Sequence, residues 1–154
     1  MKKLYQTWPF NFGAIHEQDF KKAKVVILPV PYDSTDSTVS HHIGASNGPY
    51  AIILNSSYMD ELLEDETQKK LTGLKATDIF TLDEIELSKN SPKEAVGGVK
   101  QAVYDEIVKH NKIPLMLGGE HSITLGAIMA LKEKYPDLSV LQLDAHTDLM
   151  EEHE

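Results

Sequence analysis

Cysteine is absent from the chain, which excludes disulfides and thiolate metal sites and leaves the redox compartment open. No uninterrupted apolar run approaches the length that crosses a bilayer, so no membrane partner is expected. The start, Met1-Lys2-Lys3, leads into Leu4-Tyr5-Gln6-Thr7-Trp8-Pro9 with no apolar core behind it, so a secretory leader is not expected either. Basic residues are in deficit, 15 Lys and Arg against 24 Asp and Glu, for a formal net charge of -9. Such a surface repels phosphate backbones and argues against nucleic acid as a partner, while remaining compatible with a cationic ligand. A GxGxxG fingerprint and a Gly-Lys-Ser/Thr phosphate loop are both missing, as are repeats, low-complexity tracts and linkers. What remains is the profile of an ordinary globular protein, 41% hydrophobic and 25% charged. The expectation is a cytoplasmic chain whose residues 1–154 form a single domain.

Four short apolar runs read as strands: Val25 to Val30, Asp78 to Leu82, Ile113 to Leu117 and Ser139 to Leu143. The first, third and fourth are apolar at nearly every position, which suits strands covered on both faces of a parallel sheet. Helical patterns lie between them. Pro49 to Ser57 opens with proline at a first helical position. Pro92 to His110 carries Ala95, Val96, Val99, Val103, Ile107 and Val108 at helical spacing. Ser122 to Tyr135 is stopped by Pro136. The charged stretch Tyr58 to Lys75 is ambiguous between an edge strand and a turn. Alternating strands and helices predict an α/β fold with a parallel sheet. Ligand sites in open α/β sheets lie outside the carboxyl ends of the strands, and this chain stops soon after supplying such an end, which suggests a truncation.

Two motifs follow strand ends. Asp144-Ala145-His146-Thr147-Asp148 comes directly after Val140-Leu141-Gln142-Leu143. In extended chain, residues two apart point the same way, so Asp144, His146 and Asp148 would converge. Carboxylates and imidazole suit a divalent ion such as manganese, and two carboxylates are hard to hold together without a cation. Alone, the pentapeptide fits a solvated loop equally well. The second motif, Leu117-Gly118-Gly119-Glu120-His121-Ser122, links a strand to a helix. Its glycines permit a sharp turn and close backbone approach to a ligand. It places His121 on the same sheet edge, with Ser122 as a candidate helix cap. Alone, it reads as a plain strand-to-helix turn.

Together the motifs resemble the ureohydrolase family, which includes arginase, agmatinase and their relatives. Upstream, Pro29-Val30-Pro31-Tyr32-Asp33-Ser34-Thr35 is similar to the family's first strand and loop. Gly44-Ala45-Ser46-Asn47-Gly48-Pro49-Tyr50-Ala51-Ile52 is similar to its Gly-x-x-x-Gly-Pro-x-Ala-Ile segment. The resemblance runs from about Val25 to Leu149. It implies a three-layer α/β/α, arginase-like fold, here its N-terminal portion, with two manganese ions at the carboxyl edge of the sheet. It implies His121 as ligand of one ion, His146 of the other, Asp144 as the bridge and Asp148 beside His121. Two further aspartates of the family pattern lie beyond the end of this sequence. The implied reaction is hydrolysis of agmatine to putrescine and urea, in which hydroxide bridging the ions attacks the guanidinium carbon. His146 and Asp148 belong to the catalytic set, with Asp148 passing a proton to the leaving amine.

Agmatine is preferred because Asp144-Ala145-His146-Thr147-Asp148-Leu149 is similar to the agmatinase form, and Met150 stands where arginases carry a polar residue. Guanidinobutyrate, formiminoglutamate, arginine and aminopropylagmatine stay open as substrates. Glu120 reads as a solvated or helix-start carboxylate, with support of His121 as the alternative. His41 and His42 read as loop residues lining the cleft, and His153 as exposed. Trp8, Phe10 and Phe12 read as packing anchors of an N-terminal arm, and Glu151, Glu152 and Glu154 as a solvated acidic run. The resemblance also implies a homo-oligomer, a trimer or hexamer. Two competing readings are a non-catalytic metal-binding or assembly subunit and a deacetylase-type metallohydrolase. The Gly-Gly-Glu-His-Ser turn argues against the second.

Overall fold

The computed structural model describes residues 10–34, 44–59 and 75–146. Three parallel strands form its sheet, β1 (Val25–Val30), β2 (Ile79–Thr81) and β3 (Ile113–Gly118), in the order β2-β1-β3. Val25 stands beside Ile79 on one side and Ile113 on the other, and the β1–β3 ladder runs on to Val30 beside Gly118. Helices α1 (Gly48–Ser56), α2 (Pro92–Glu106) and α3 (Thr124–Lys134) complete the described framework. No helix among the described residues is long and apolar enough to cross a membrane.

The period of two along β1 sorts its side chains onto two faces. Val26, Leu28 and Val30 enter a core with Ala95, Val99 and Val103 of α2, Ile107 and Val108 after it, and Ile123 and Ala130 at α3. Ile27 points to the opposite face, where α1 packs on β1 and β3, and both Ile27 and Ile53 are buried. Helices thus cover both faces of the sheet, as the α/β/α expectation requires. α3 seats closely on α2: a Cβ at Gly126 would stand 2.6 Å from the Val96 carbonyl oxygen and 2.7 Å from the Val99 Cβ. Lys100 and Glu133 add an ion pair at 2.5 Å across the two helices.

Two prolines sit inside strands without leaving a ladder bond unmade. The Pro29 carbonyl accepts from the Ile85 N–H at 3.3 Å, so its ring nitrogen faces the β2 side, beyond the last paired residue of β2. The Ile113 N–H donates to the Lys24 carbonyl at 2.8 Å, which turns Pro114 toward the outer edge of β3. Proline is tolerated where no neighbour asks for its N–H.

Two expectations about the strands are corrected. β3 is only partly covered on its second face: Ile113 and Leu115 are 63% and 46% exposed, on the face opposite the core that Met116 joins. Ser139 to Leu143 is not a strand, and Val140, Leu141 and Leu143 are 59%, 84% and 90% exposed. An apolar run becomes a strand only where a neighbour satisfies its backbone, and no described segment pairs with this one. The stretch from Tyr58 to Lys75 lies mostly outside the described residues, apart from a 3-10 turn at Ser57–Met59 and the residue Lys75 itself.

Candidate metal centre

Parallel strands bring their carboxyl ends to one edge, and the chemistry-bearing residues collect there. Tyr32 and Asp33 follow β1, and Glu120 and His121 follow β3. The two strand ends are locked by backbone: the Gly119 N–H donates to the Val30 carbonyl at 3.2 Å and the Glu120 N–H to the Tyr32 carbonyl at 2.8 Å. The approach is so close that a Cβ at Gly119 would lie 1.9 Å from the Tyr32 carbonyl oxygen. The glycine therefore serves contact with the chain's own backbone, not the approach to a ligand that the sequence suggested.

His121 opens a 3-10 turn, His121–Ile123, that leads into α3. Ser122 lies inside that turn and does not cap the helix; its hydroxyl donates to the Glu120 carboxylate. Glu120 is 7% exposed and so is not the solvated carboxylate that its neighbours in sequence implied. Tyr32 is 2% exposed, and among the described residues nothing partners its hydroxyl. Burial first, and the nearby Glu120 charge second, raise the Tyr32 phenol above its ordinary value. Across the edge, Asp33 accepts from the Gly44 and Ser46 N–H groups at 3.2 Å each and from the Ser46 hydroxyl at 2.8 Å. These bonds tie the start of the α1 region to the end of β1.

After α3 the chain returns to this edge and sets Asp144 beside His121. The Asp144 Oδ2 lies 3.5 Å from the His121 Nδ1, and its Oδ1 lies 3.7 Å from the His146 Nδ1. The His146 backbone N–H also donates to Asp144 Oδ1 at 2.9 Å, and the Gln142 side chain donates to the His146 carbonyl at 3.3 Å. That backbone bond above all, and then the His121 charge, hold the Asp144 carboxyl below its usual range, against partial burial. The Asp144 side chain is 27% exposed, His121 53% and His146 83%.

The spacing of this donor set suits a divalent cation. Two donors that each sit about 2.1 Å from one ion lie about 3.0–3.5 Å apart at octahedral to tetrahedral angles. The His121–Asp144 separation of 3.5 Å fits that spacing, and the 3.7 Å to His146 is slightly wider. One carboxylate with a different imidazole on each oxygen suits a bridging role. The described residues form pairs around that carboxylate, and no three or more of them close into a cage. Asp148 lies outside the described residues, as do His41, His42, His153, Trp8, Met150 and the glutamates from Glu151 onward. Phe10, described and 57% exposed, stacks on Tyr50 at 5.1 Å between ring centroids, in keeping with a packing anchor.

A family model, Arginase family, matches residues 23–154. The chain belongs to the arginase family. Among its curated relatives, an agmatinase of Bacillus cereus is 33% identical over 135 residues, covering 88% of this chain and 44% of that protein. An N(1)-aminopropylagmatine ureohydrolase of Thermus thermophilus is 33% identical over 141 residues, covering 86% of this chain and 43% of that protein. A crystal structure of a proposed agmatinase from Clostridium difficile superposes with a TM-score of 0.64 at 33% identity, covering 88% of this chain and 46% of that one. The chain spans less than half the length of these relatives. The α/β architecture of the superposed structure agrees with the layers described above.

Asp33, Tyr32 and Glu120 were assigned no firm role from sequence. Asp33 meets partners eleven and thirteen residues away, and Tyr32 meets β3 across the sheet. No local pattern announces such contacts.

Proposed function

We propose that the protein hydrolyses a guanidino compound, with agmatine as preferred substrate and putrescine and urea as products. The observation that carries the reading is the Asp144 carboxylate shared between His121 and His146 at the carboxyl edge of the sheet. The names of the relatives support the substrate class, and aminopropylagmatine is the runner-up on the same ground. Manganese is the proposed ion, held by His121, Asp144 and His146 together with Asp148. When bound, such ions supply a water acidic enough to act as nucleophile at neutral pH.

The chain's own residues contribute orientation and charge. His146 presents its backbone N–H to Asp144 and so fixes the rotation of the carboxylate. Asp144, lowered further from an already acidic 3.8, is anionic across the physiological range and available to cationic partners. Asp148 is assigned the proton transfer to the departing amine, so that water adds across the carbon–nitrogen bond to give urea and a protonated alkylamine. Assembly into a trimer or hexamer belongs to the same proposal. The exposed Ile113 and Leu115 of the outer strand are compatible with association.

Urea release by the purified chain with added manganese tests the reading, with agmatine, aminopropylagmatine, guanidinobutyrate and arginine offered in parallel. Release from agmatine above the others supports it. Release from another of the four replaces the substrate. No release from any, by a folded chain that binds manganese, favours a metal-binding subunit without turnover.

A further inference from the structure

The carboxylate next to His121 has no part in the reaction proposed above, yet it is buried and tied down. Glu120 is 7% exposed, its N–H is fixed to the Tyr32 carbonyl at 2.8 Å, and its carboxylate accepts from the Ser122 hydroxyl. Removing a carboxylate from water is costly compared with burying an amide or a hydrocarbon of the same size, so packing alone does not account for a glutamate here. The bonds it makes lie on both sides of His121. Residue 120 is anchored by backbone to the end of β1, and residue 122 is anchored by side chain to residue 120. The missing Cβ at Gly119 lets the turn lie against Tyr32, and the Gly119 N–H bond to the Val30 carbonyl at 3.2 Å holds it there. With both neighbours held, the His121 backbone has little freedom. Its imidazole is kept at the edge where Asp144 lies 3.5 Å away.

We propose that Glu120 is a positioning residue: its buried carboxylate, clasped by Ser122, sets the turn that aims His121 at Asp144. The proposal deepens the reading of His121 and Asp144 as ligands and rests on it. The physical logic is that a ligand's orientation, fixed in advance by a supporting hydrogen bond, need not be ordered when the ion binds.

The test uses the chain itself with Glu120→Ala and Ser122→Ala. Two readouts are taken: the nuclear Overhauser cross-peak between the His121 ring and the Asp144 methylene in metal-free protein, and the affinity for manganese alone. Thermal unfolding reports whether each variant is folded. Glu120→Ala, which removes the acceptor, is expected to lose the cross-peak and to weaken manganese binding by about 10–100-fold. Ser122→Ala is expected to move both in the same direction by about 3–10-fold in affinity, within the range for supporting groups. A purely structural role would lower the unfolding midpoint and leave the cross-peak and the affinity of the folded fraction unchanged. Wild-type cross-peak and affinity in both folded variants would overturn the proposal. If Glu120→Ala does not fold, Ser122→Ala decides it alone. If the wild-type chain binds no manganese, the cross-peak still decides: its loss in the variants supports positioning while the ligand reading falls, and its retention overturns positioning too.

Discussion

Replacing Gly119 with alanine asks how much of the site depends on one missing methyl group. The added Cβ would lie 1.9 Å from the Tyr32 carbonyl oxygen, 2.8 Å from its carbonyl carbon and 2.9 Å from its nitrogen. All three are backbone atoms, so no side chain can swing aside. Restoring ordinary contact requires the end of β3 to move from β1 by more than an ångström. That movement strains or breaks two bonds, Gly119 N–H to Val30 at 3.2 Å and Glu120 N–H to Tyr32 at 2.8 Å. Each bond contributes about 1 kcal/mol, and overpacking adds about 1–3 kcal/mol. The expected loss is therefore about 3–5 kcal/mol, a large part of the stability of a typical domain. Urea denaturation followed by circular dichroism would show the midpoint falling by about 2 M, taking a slope typical of a domain of this size. A Gly119→Ala protein within about 1 kcal/mol of wild type would refute the reasoning, because it would mean that the two strand ends are not pressed together.

Other glycines give the opposite sign or a different cause. Gly97 lies inside α2, and a methyl group added there would find nothing within 4 Å, so Gly97→Ala should stabilise the chain by about 0.5–1 kcal/mol in the same denaturation assay. Gly126→Ala should destabilise it, because the methyl would meet the Val96 carbonyl 2.6 Å away, and unchanged stability would argue against the close α2–α3 packing. Asp33 is held below its ordinary 3.8, chiefly by the Ser46 hydroxyl and then the Ser46 N–H. A depressed folded value contributes stability that is present above the unfolded value and lost as pH falls through the folded one. Asp33→Asn should therefore cost about 1–2 kcal/mol at neutral pH, with the gap to wild type closing below pH 3.8; a gap undiminished in strong acid would contradict this. Tyr32→Phe removes a buried hydroxyl that nothing partners among the described residues, so thermal unfolding should show unchanged or slightly raised stability. A loss above about 1 kcal/mol would reveal a partner for that hydroxyl.

Much of this was legible in the chain itself. β1 and β3 announced themselves as runs of Val, Ile and Leu, and α2 through the spacing of Ala95, Val99 and Val103. His121 and Asp144, linked beforehand by the family resemblance, lie 3.5 Å apart, although only the first of the two motifs follows a strand. The fourth strand failed because hydrophobicity marks a segment that would gain from burial, while only neighbouring backbone makes it a strand; Leu141 and Leu143 have the first without the second. Glu120 does stand at the start of a 3-10 turn, one of its two expected settings, but it is buried rather than solvated. Its backbone N–H meets the Tyr32 carbonyl, which lies far earlier in the sequence and is reached across the sheet. Gly119 was assigned the right kind of purpose, close approach, and the wrong partner.

Asp144, with a histidine on each oxygen, is proposed to hold a divalent cation. Manganese binding by the wild-type chain and by Asp144→Asn, followed through the electron paramagnetic resonance of the free ion, tests it most directly. The wild-type chain should deplete the free-ion signal, and the variant, folded to the same degree, should bind at least about tenfold more weakly, since an amide oxygen replaces a charged one. Equal binding by the two proteins, or none by the wild type, would contradict it.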